Sequence, residues 1–201
     1  MDGHRRKKLL YHLTALANLP SILNKGLQSR KALTHSFVEF EDVADPSILT
    51  GRADHRLDTF VPFHFLPRNP FDYAVVKRRT REQFVLIAVQ RTVAASKEWR
   101  IVPRHPLADG DEPEILGWAD GIAAIDWEQM DKDERDYDTD HDCKMVCMAE
   151  ALSPKAVTVA DFHSIFVATP ATESAVKRAL AGCRSKPFVN VNPKMFPSGA
   201  R

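Results

Sequence analysis

LLYHLTALANLPSILNKG, residues 9–26, sets the class of fold. Leu9 to Ala15 reads as a short strand, apolar except for one histidine and its neighbouring threonine. Asn18-Leu19-Pro20 then opens a helix, because the fixed φ of proline suits a first turn. Ile22 and Leu23 give that helix a buried side, and Gly26 supplies a residue free to take a left-handed end. The chain therefore opens as strand, short helix, turn. No GxGxxG joins this strand to its helix, and no GxxxxGK[ST] occurs anywhere, so a Rossmann or P-loop nucleotide site has no support.

Further along, FVPFHF at 60–65 reads as a second strand, PRNP at 67–70 as a turn and FDYAVVKRR at 71–79 as helical. QFVLIAVQR at 83–91 is an apolar run rich in β-branched residues, which predicts a buried strand. A loop rich in Pro, Asp and Gly runs through Pro113, and residues 115–130 hold a turn and a short helix. The acidic stretch 131–142 reads as a solvated loop, and KMVCMAEAL at 144–152 as a strand. FHSIFVAT at 162–169 is another strand; Thr169 caps a helix with Pro170 at its first position and Gly182 at its end. FVNVNPKMF at 188–196 alternates like a closing strand. Strands dominate without a regular βαβ alternation, which predicts an α+β domain rather than a doubly wound sheet. With 201 residues, 44% of them hydrophobic, and no Gly/Ser linker, one domain over 1–201 is expected.

The balance of 28 basic against 27 acidic residues says nothing about partners, but their placement does. HRRKK at 4–8 and KRRTR at 77–81 are basic, and DKDERDYDTDHD at 131–142 is acidic; such a dipole accepts a polyanion at one end, or is plain solvated surface. Three cysteines, Cys143, Cys147 and Cys183, form no even disulfide framework and point to a reducing compartment. No apolar run reaches transmembrane length, and Met1 to Tyr11 lacks the apolar stretch of a signal peptide; a soluble, cytoplasmic protein with no membrane partner is expected.

Glu150 is the most informative polar residue, a lone acid in the apolar run MAEAL. An unpartnered carboxylate buried there would be costly, so either its face opens on a cleft or a cation meets it. With period two, Met148, Glu150 and Leu152 would share that face. Arg52 and Arg56 are four apart and would share a helix face, as a fork for pyrophosphate or as an exposed basic turn. His12 is a satisfied strand histidine or a contact to ribose or pyrophosphate. No metal is expected. DTDHD at 138–142 opens like a calcium loop, but Cys143 and Ala149 stand where Gly and Glu are required, and His141, Cys143 and Cys147 fit no standard zinc spacing.

Five blocks, in order and spanning almost the whole chain, resemble the DarT-type DNA ADP-ribosyltransferase toxins. They are YHLTALANLPSILNKGLQS, VPFHFLPRNPFDY with the arginine-bearing stretch before it, WADGIAAIDWE, MAEAL and VNVNPKMF. Two features depart from the pattern: His64 stands where the family often has an aromatic, and the acidic loop before Glu150 is this chain's own version of a variable substrate-recognition loop. The resemblance implies an ADP-ribosyltransferase-like split, strongly bent β core with short flanking helices and NAD in its cleft. It implies cleavage of the nicotinamide–ribose bond and transfer of ADP-ribose to a base, thymine or guanine, in single-stranded DNA. Glu150 matches the catalytic glutamate and Arg52 the catalytic or NAD-binding arginine, with Arg56 as second candidate. His12, Thr14 and Asn18 match the NAD-binding opening. A toxin role with a macrodomain antitoxin as partner is also implied. Arg78, Arg79 and Arg81 are candidates for the nucleic-acid backbone, and Tyr137 and His141 for an unpaired base. Competing readings keep the fold with RNA or protein as acceptor, or make it a non-catalytic nucleic-acid-binding module.

Overall fold

A computed structural model describes residues 3–36, 40–107 and 112–199. Residues 108–111 of the loop running to Pro113 lie outside the described residues. Seven strands form one sheet in the order β4-β5-β2-β1-β3-β6-β7. They are β1 (Leu9–Ala15), β2 (Val61–His64), β3 (Phe84–Gln90), β4 (Arg100–Val102), β5 (Glu150–Ser153), β6 (Phe162–Val167) and β7 (Phe188–Val191). All neighbouring pairs are antiparallel except β6–β7, the two strands joined through a helix.

β3 is buried on both faces because the sheet is covered on both. Val85, Ile87 and Val89 enter the main core with Leu10, Phe63 and Ile165. Phe84, Leu86 and Ala88 enter a second core with Leu13, Val75 and Val76. The helices are short: α1 (Leu19–Lys25), α2 (Arg30–His35), α3 (Pro46–Asp54), α4 (Pro70–Arg78), α5 (Arg91–Ser96), α6 (Trp118–Ala124), α7 (Trp127–Met130), α8 (His141–Val146) and α9 (Pro170–Leu180). α4 and α9 begin as their sequences require, with Asn69 and Thr169 accepting from backbone N–H groups three residues on and proline in the first turn. Gly26 takes φ +81 after α1, close against the Val157 carbonyl.

The sheet is thinnest between β1 and β2. β1 pairs with β3 at seven positions but with β2 only at Tyr11↔His64. There the strands diverge, and the cleft described below opens.

Two expectations are corrected. Residues 144–149 are not strand: α8 covers His141–Val146, a turn follows, and β5 starts at Glu150. Asp140 caps Cys143 N at 3.0 Å, and Cys143 and Cys147, one helical turn apart, both face the core. A short apolar run does not distinguish that spacing from a strand. Met148 is therefore not a strand neighbour of Glu150. α9 runs to Leu180 with Ala181 as its right-handed cap, and Gly182 follows at its end as expected. Arg52 and Arg56 share no helix face: α3 stops at Asp54, and Arg56 sits at φ +57 with its side chain exposed.

Candidate active site

The diverging strands β1 and β2, helix α3 and the start of β5 line a cleft. Glu150 is the first residue of β5, opposite His64 in β2 and Val102 in β4. Arg52, from the last turn of α3, reaches it from the other side. Its Nη1 donates to Glu150 Oε1 at 2.8 Å and to Oε2 at 3.0 Å. The two side chains are only 12% and 5% exposed, which keeps the pair partly out of water and strengthens it. Arg52 Nη2 is buried with no partner among the described residues, a donor left over for something in the cleft.

Three histidines line the same cleft. His12 Nδ1 donates to the Pro62 carbonyl at 2.8 Å, tying β1 to β2 where the ladder is missing. His64 Nδ1 donates to the Ala149 carbonyl at 3.3 Å, and its ring lies 5.8 Å from Phe71. His105 Nδ1 instead accepts from Leu107 N at 2.9 Å. These partners fix the neutral tautomers: Nε2 is a free acceptor on His12 and His64, and a donor on His105. Burial holds all three below the ordinary histidine range, His12 down to about 4, and each feels Glu150 and Arg52.

Thr14 and Asn18 also line the cleft. Asn18 Nδ2 donates to Thr14 Oγ1 (3.1 Å) and to the Glu41 carbonyl (2.9 Å), while its Oδ1 accepts from Glu41 N (2.7 Å). Asn18 thus pins residues 40–44, which form one wall of the cleft. Arg79 holds the same wall from behind, through Glu41 Oε2 at 2.7 Å and the Asp42 carbonyl.

The structure brings Glu150, Arg52, His12, Thr14 and Asn18 together, and places Arg56 outside the cleft lining. Arg78 is exposed and pairs with Asp45; Arg79 pairs with Glu41 and Glu82; Arg81 is exposed. His141 is exposed at the start of α8. Tyr137 is half-buried against Tyr73, and burial raises its phenol above the usual range. Sequence reasoning missed His105 and the 40–44 wall. His105 comes to Glu150 only because β4 pairs with β5 and its N donates to the Met145 carbonyl at 2.8 Å, which no local signal announces. Burial pushes the Cys147 thiol up to about 12, so it is packing rather than a nucleophile. Among the described residues, no cluster of three His, Cys, Asp or Glu could hold a metal ion, and no helix is long and apolar enough to cross a membrane.

A family model described as DarT, ssDNA thymidine ADP-ribosyltransferase, matches residues 11–197. A DNA ADP-ribosyl transferase–DNA ADP-ribosyl glycohydrolase fusion protein of Thermosipho africanus is 28% identical over 182 residues, 87% of this chain and 46% of its own. The chain thus spans under half the length of that relative. Among solved structures, Thermus sp. 2.9 DarT in complex with ADP-ribosylated ssDNA superposes with a TM-score of 0.79 at 20% identity, over 94% of this chain and 96% of that one. The same protein in complex with NAD+ gives 0.75 at 20% identity, over 96% and 98%. Thermosipho africanus DarTG in complex with ADP-ribose gives 0.74 at 23% identity, over 94% of this chain and 51% of that one. At these identities the structures establish the fold.

Proposed function

The chain belongs to the DarT family, and from that premise we propose that it transfers ADP-ribose from NAD to a base of single-stranded DNA, thymine being the base named in the family's description. The observation that carries this reading is the Arg52–Glu150 pair in the cleft, with Nη1 shared between both carboxylate oxygens and Nη2 without a partner among the described residues.

NAD is the donor substrate. Its nicotinamide departs as a neutral molecule from a cationic pyridinium, so no strong acid is needed and the chemistry calls for no metal. Glu150 holds the nicotinamide-ribose 2′-hydroxyl and stabilises the oxocarbenium-like sugar, the kind of contact that strengthens in glycosyl-transfer transition states. Arg52 Nη1 fixes the carboxylate, and Nη2 is the donor for an oxygen of the incoming base or of the pyrophosphate. As the C1′–nicotinamide bond breaks and the bond from C1′ to the base nitrogen forms, that nitrogen's proton passes to Glu150. The neutral histidines support this assignment, since a protonated ring would set a second cation beside the pyridinium. His12, Thr14 and Asn18 hold the donor through a ring acceptor and a fixed wall. Positioning carries most of the rate.

The fusion of a Thermosipho relative to an ADP-ribosyl glycohydrolase supports a toxin role for a single catalytic domain, opposed in the cytoplasm by a macrodomain antitoxin that removes the ADP-ribose. Mass spectrometry of single-stranded oligonucleotides incubated with NAD and protein tests the acceptor. A gain of one ADP-ribose on thymine-bearing strands, absent from thymine-free ones, is expected. A gain on thymine-free strands overturns the base, and no gain on any strand overturns DNA as acceptor.

A further inference from the structure

We infer that Arg68, Tyr73 and Tyr137 form the seat for the nucleotide next to the target base, with Arg68 taking a phosphate of the single strand and the two tyrosines offering rings to its base. This rests on single-stranded DNA being the acceptor, and goes beyond it by placing the strand's path.

Arg68 is exposed, yet its backbone is held in an uncommon conformation. It sits at φ +57, which few residues other than glycine adopt without a reason. The turn around it is locked: Asp72 Oδ2 accepts from Arg68 N at 2.8 Å, Asn69 Oδ1 accepts from Asp72 N at 3.0 Å, and Asn69 Nδ2 donates to the Leu66 carbonyl at 3.2 Å. Asn69 and Asp72 are each 1% exposed. A buried carboxylate and a buried amide thus hold a turn whose main product is the direction of one surface arginine.

Among the described residues that arginine has no carboxylate partner. Its Nη2 donates to Tyr73 Oη at 2.7 Å, and the guanidinium lies 5.8 Å from the Tyr73 ring centre. Of the three phosphate candidates in the basic run, Arg78 and Arg79 are engaged by Asp45, Glu41 and Glu82, while Arg81 is exposed. Tyr137 arrives from the loop before Glu150: its ring meets that of Tyr73 edge-on at 6.1 Å and 68°, and its hydroxyl donates to the Arg68 carbonyl at 3.4 Å. The nearby Asp136 carboxylate is taken up by Asp138 N and Thr139 Oγ1, within its own turn. A guanidinium held by a tyrosine hydroxyl and not by an acid, beside two aromatic rings, is the chemistry that holds a single-stranded nucleotide. The Arg68 segment also leads into the cleft. Phe71, three residues after Arg68, lines it against His64, the strand partner of Glu150.

The test is fluorescence anisotropy of a labelled thymine-bearing single strand with the full chain, across a salt series. Tyr73 is 37% exposed, so Tyr73→Ala should fold and bind at least about fivefold more weakly with an unchanged salt slope. Arg68→Asn keeps a residue that tolerates positive φ and should flatten the slope of log K against log[salt] by about 0.7, one phosphate's share on a single strand. If Arg68→Asn does not fold, Tyr73→Ala decides. Wild-type affinity and slope in the folded variants, with the wild type binding and modifying the strand, would overturn this seat alone. A wild-type chain that neither binds nor modifies DNA would remove the acceptor reading and this inference with it.

Discussion

His12, His64 and His105 stand around one ion pair, and burial holds all three below the ordinary histidine range against the opposing pull of Glu150. The consequence for stability has a definite sign. The folded-state value of His12 lies near 4 and the unfolded value near 6.5, so below pH 6.5 the unfolded chain takes up a proton that the native ring refuses. Stability present above pH 6.5 is therefore lost as pH falls, and the loss ends once the pH is below about 4. Full burial would make this about 3 kcal/mol; because the ring keeps a face on the cleft, a smaller effect of ~1–2 kcal/mol is expected. His12→Gln should flatten urea-derived stability between pH 6.5 and 4, and an unchanged slope would assign the acid loss to other groups. At this scale the sequence was partly readable. Glu150 stood out as a lone charge in an apolar run, and the cation required to meet it is present. Which cation it was, Arg52 and not Arg56, came from resemblance and not from spacing, because α3 ends between them. His105 gave no signal, since its neighbours in the chain are unrelated to its neighbours in space.

The elements that matter most to the cleft are the least regular. β1 and β2 nearly part, and a side-chain bond from His12 replaces the missing ladder. The wall at 40–44 has no strand or helix of its own and is fastened by Asn18 on one side and Arg79 on the other. Removing the Asn18 clamp with Asn18→Ala deletes two bonds to the Glu41 backbone and one to Thr14. The expected result is a KM for NAD raised roughly tenfold, equivalent to ~1.4 kcal/mol, with kcat changed much less. Steady-state kinetics would contradict the clamp if kcat fell and KM held. The regular elements were legible: β1, β3, β6 and α9 lie close to where their patterns put them, because propensity, caps and burial agree there. α8 was misread because six residues of apolar and charged sequence satisfy helix and strand alike, and only the Asp140 cap and the pairing of Cys143 with Cys147 on one side separate them.

At the scale of the molecule, a sheet covered on both faces opens along one seam, and the residues that line the seam come from distant parts of the chain. The class of fold followed from strands without a βαβ rhythm, while the seam follows only from the single β1–β2 pairing seen in the structure. The charge distribution was the least informative guide. The basic run 77–81 is partly consumed by neighbouring acids, and Asp131 in the acidic run pairs with His4. The central claim is that Glu150, fixed by Arg52, turns this cleft into a device for transferring ADP-ribose to DNA. Its most direct test is the rate of adduct formation on a thymine-bearing single strand by Glu150→Gln, at NAD concentrations shown by melting shifts to saturate the variant. The amide retains shape and hydrogen bonding but loses the charge, so a rate at least about 100-fold below wild type is expected. A rate within a few-fold of wild type would contradict the claim.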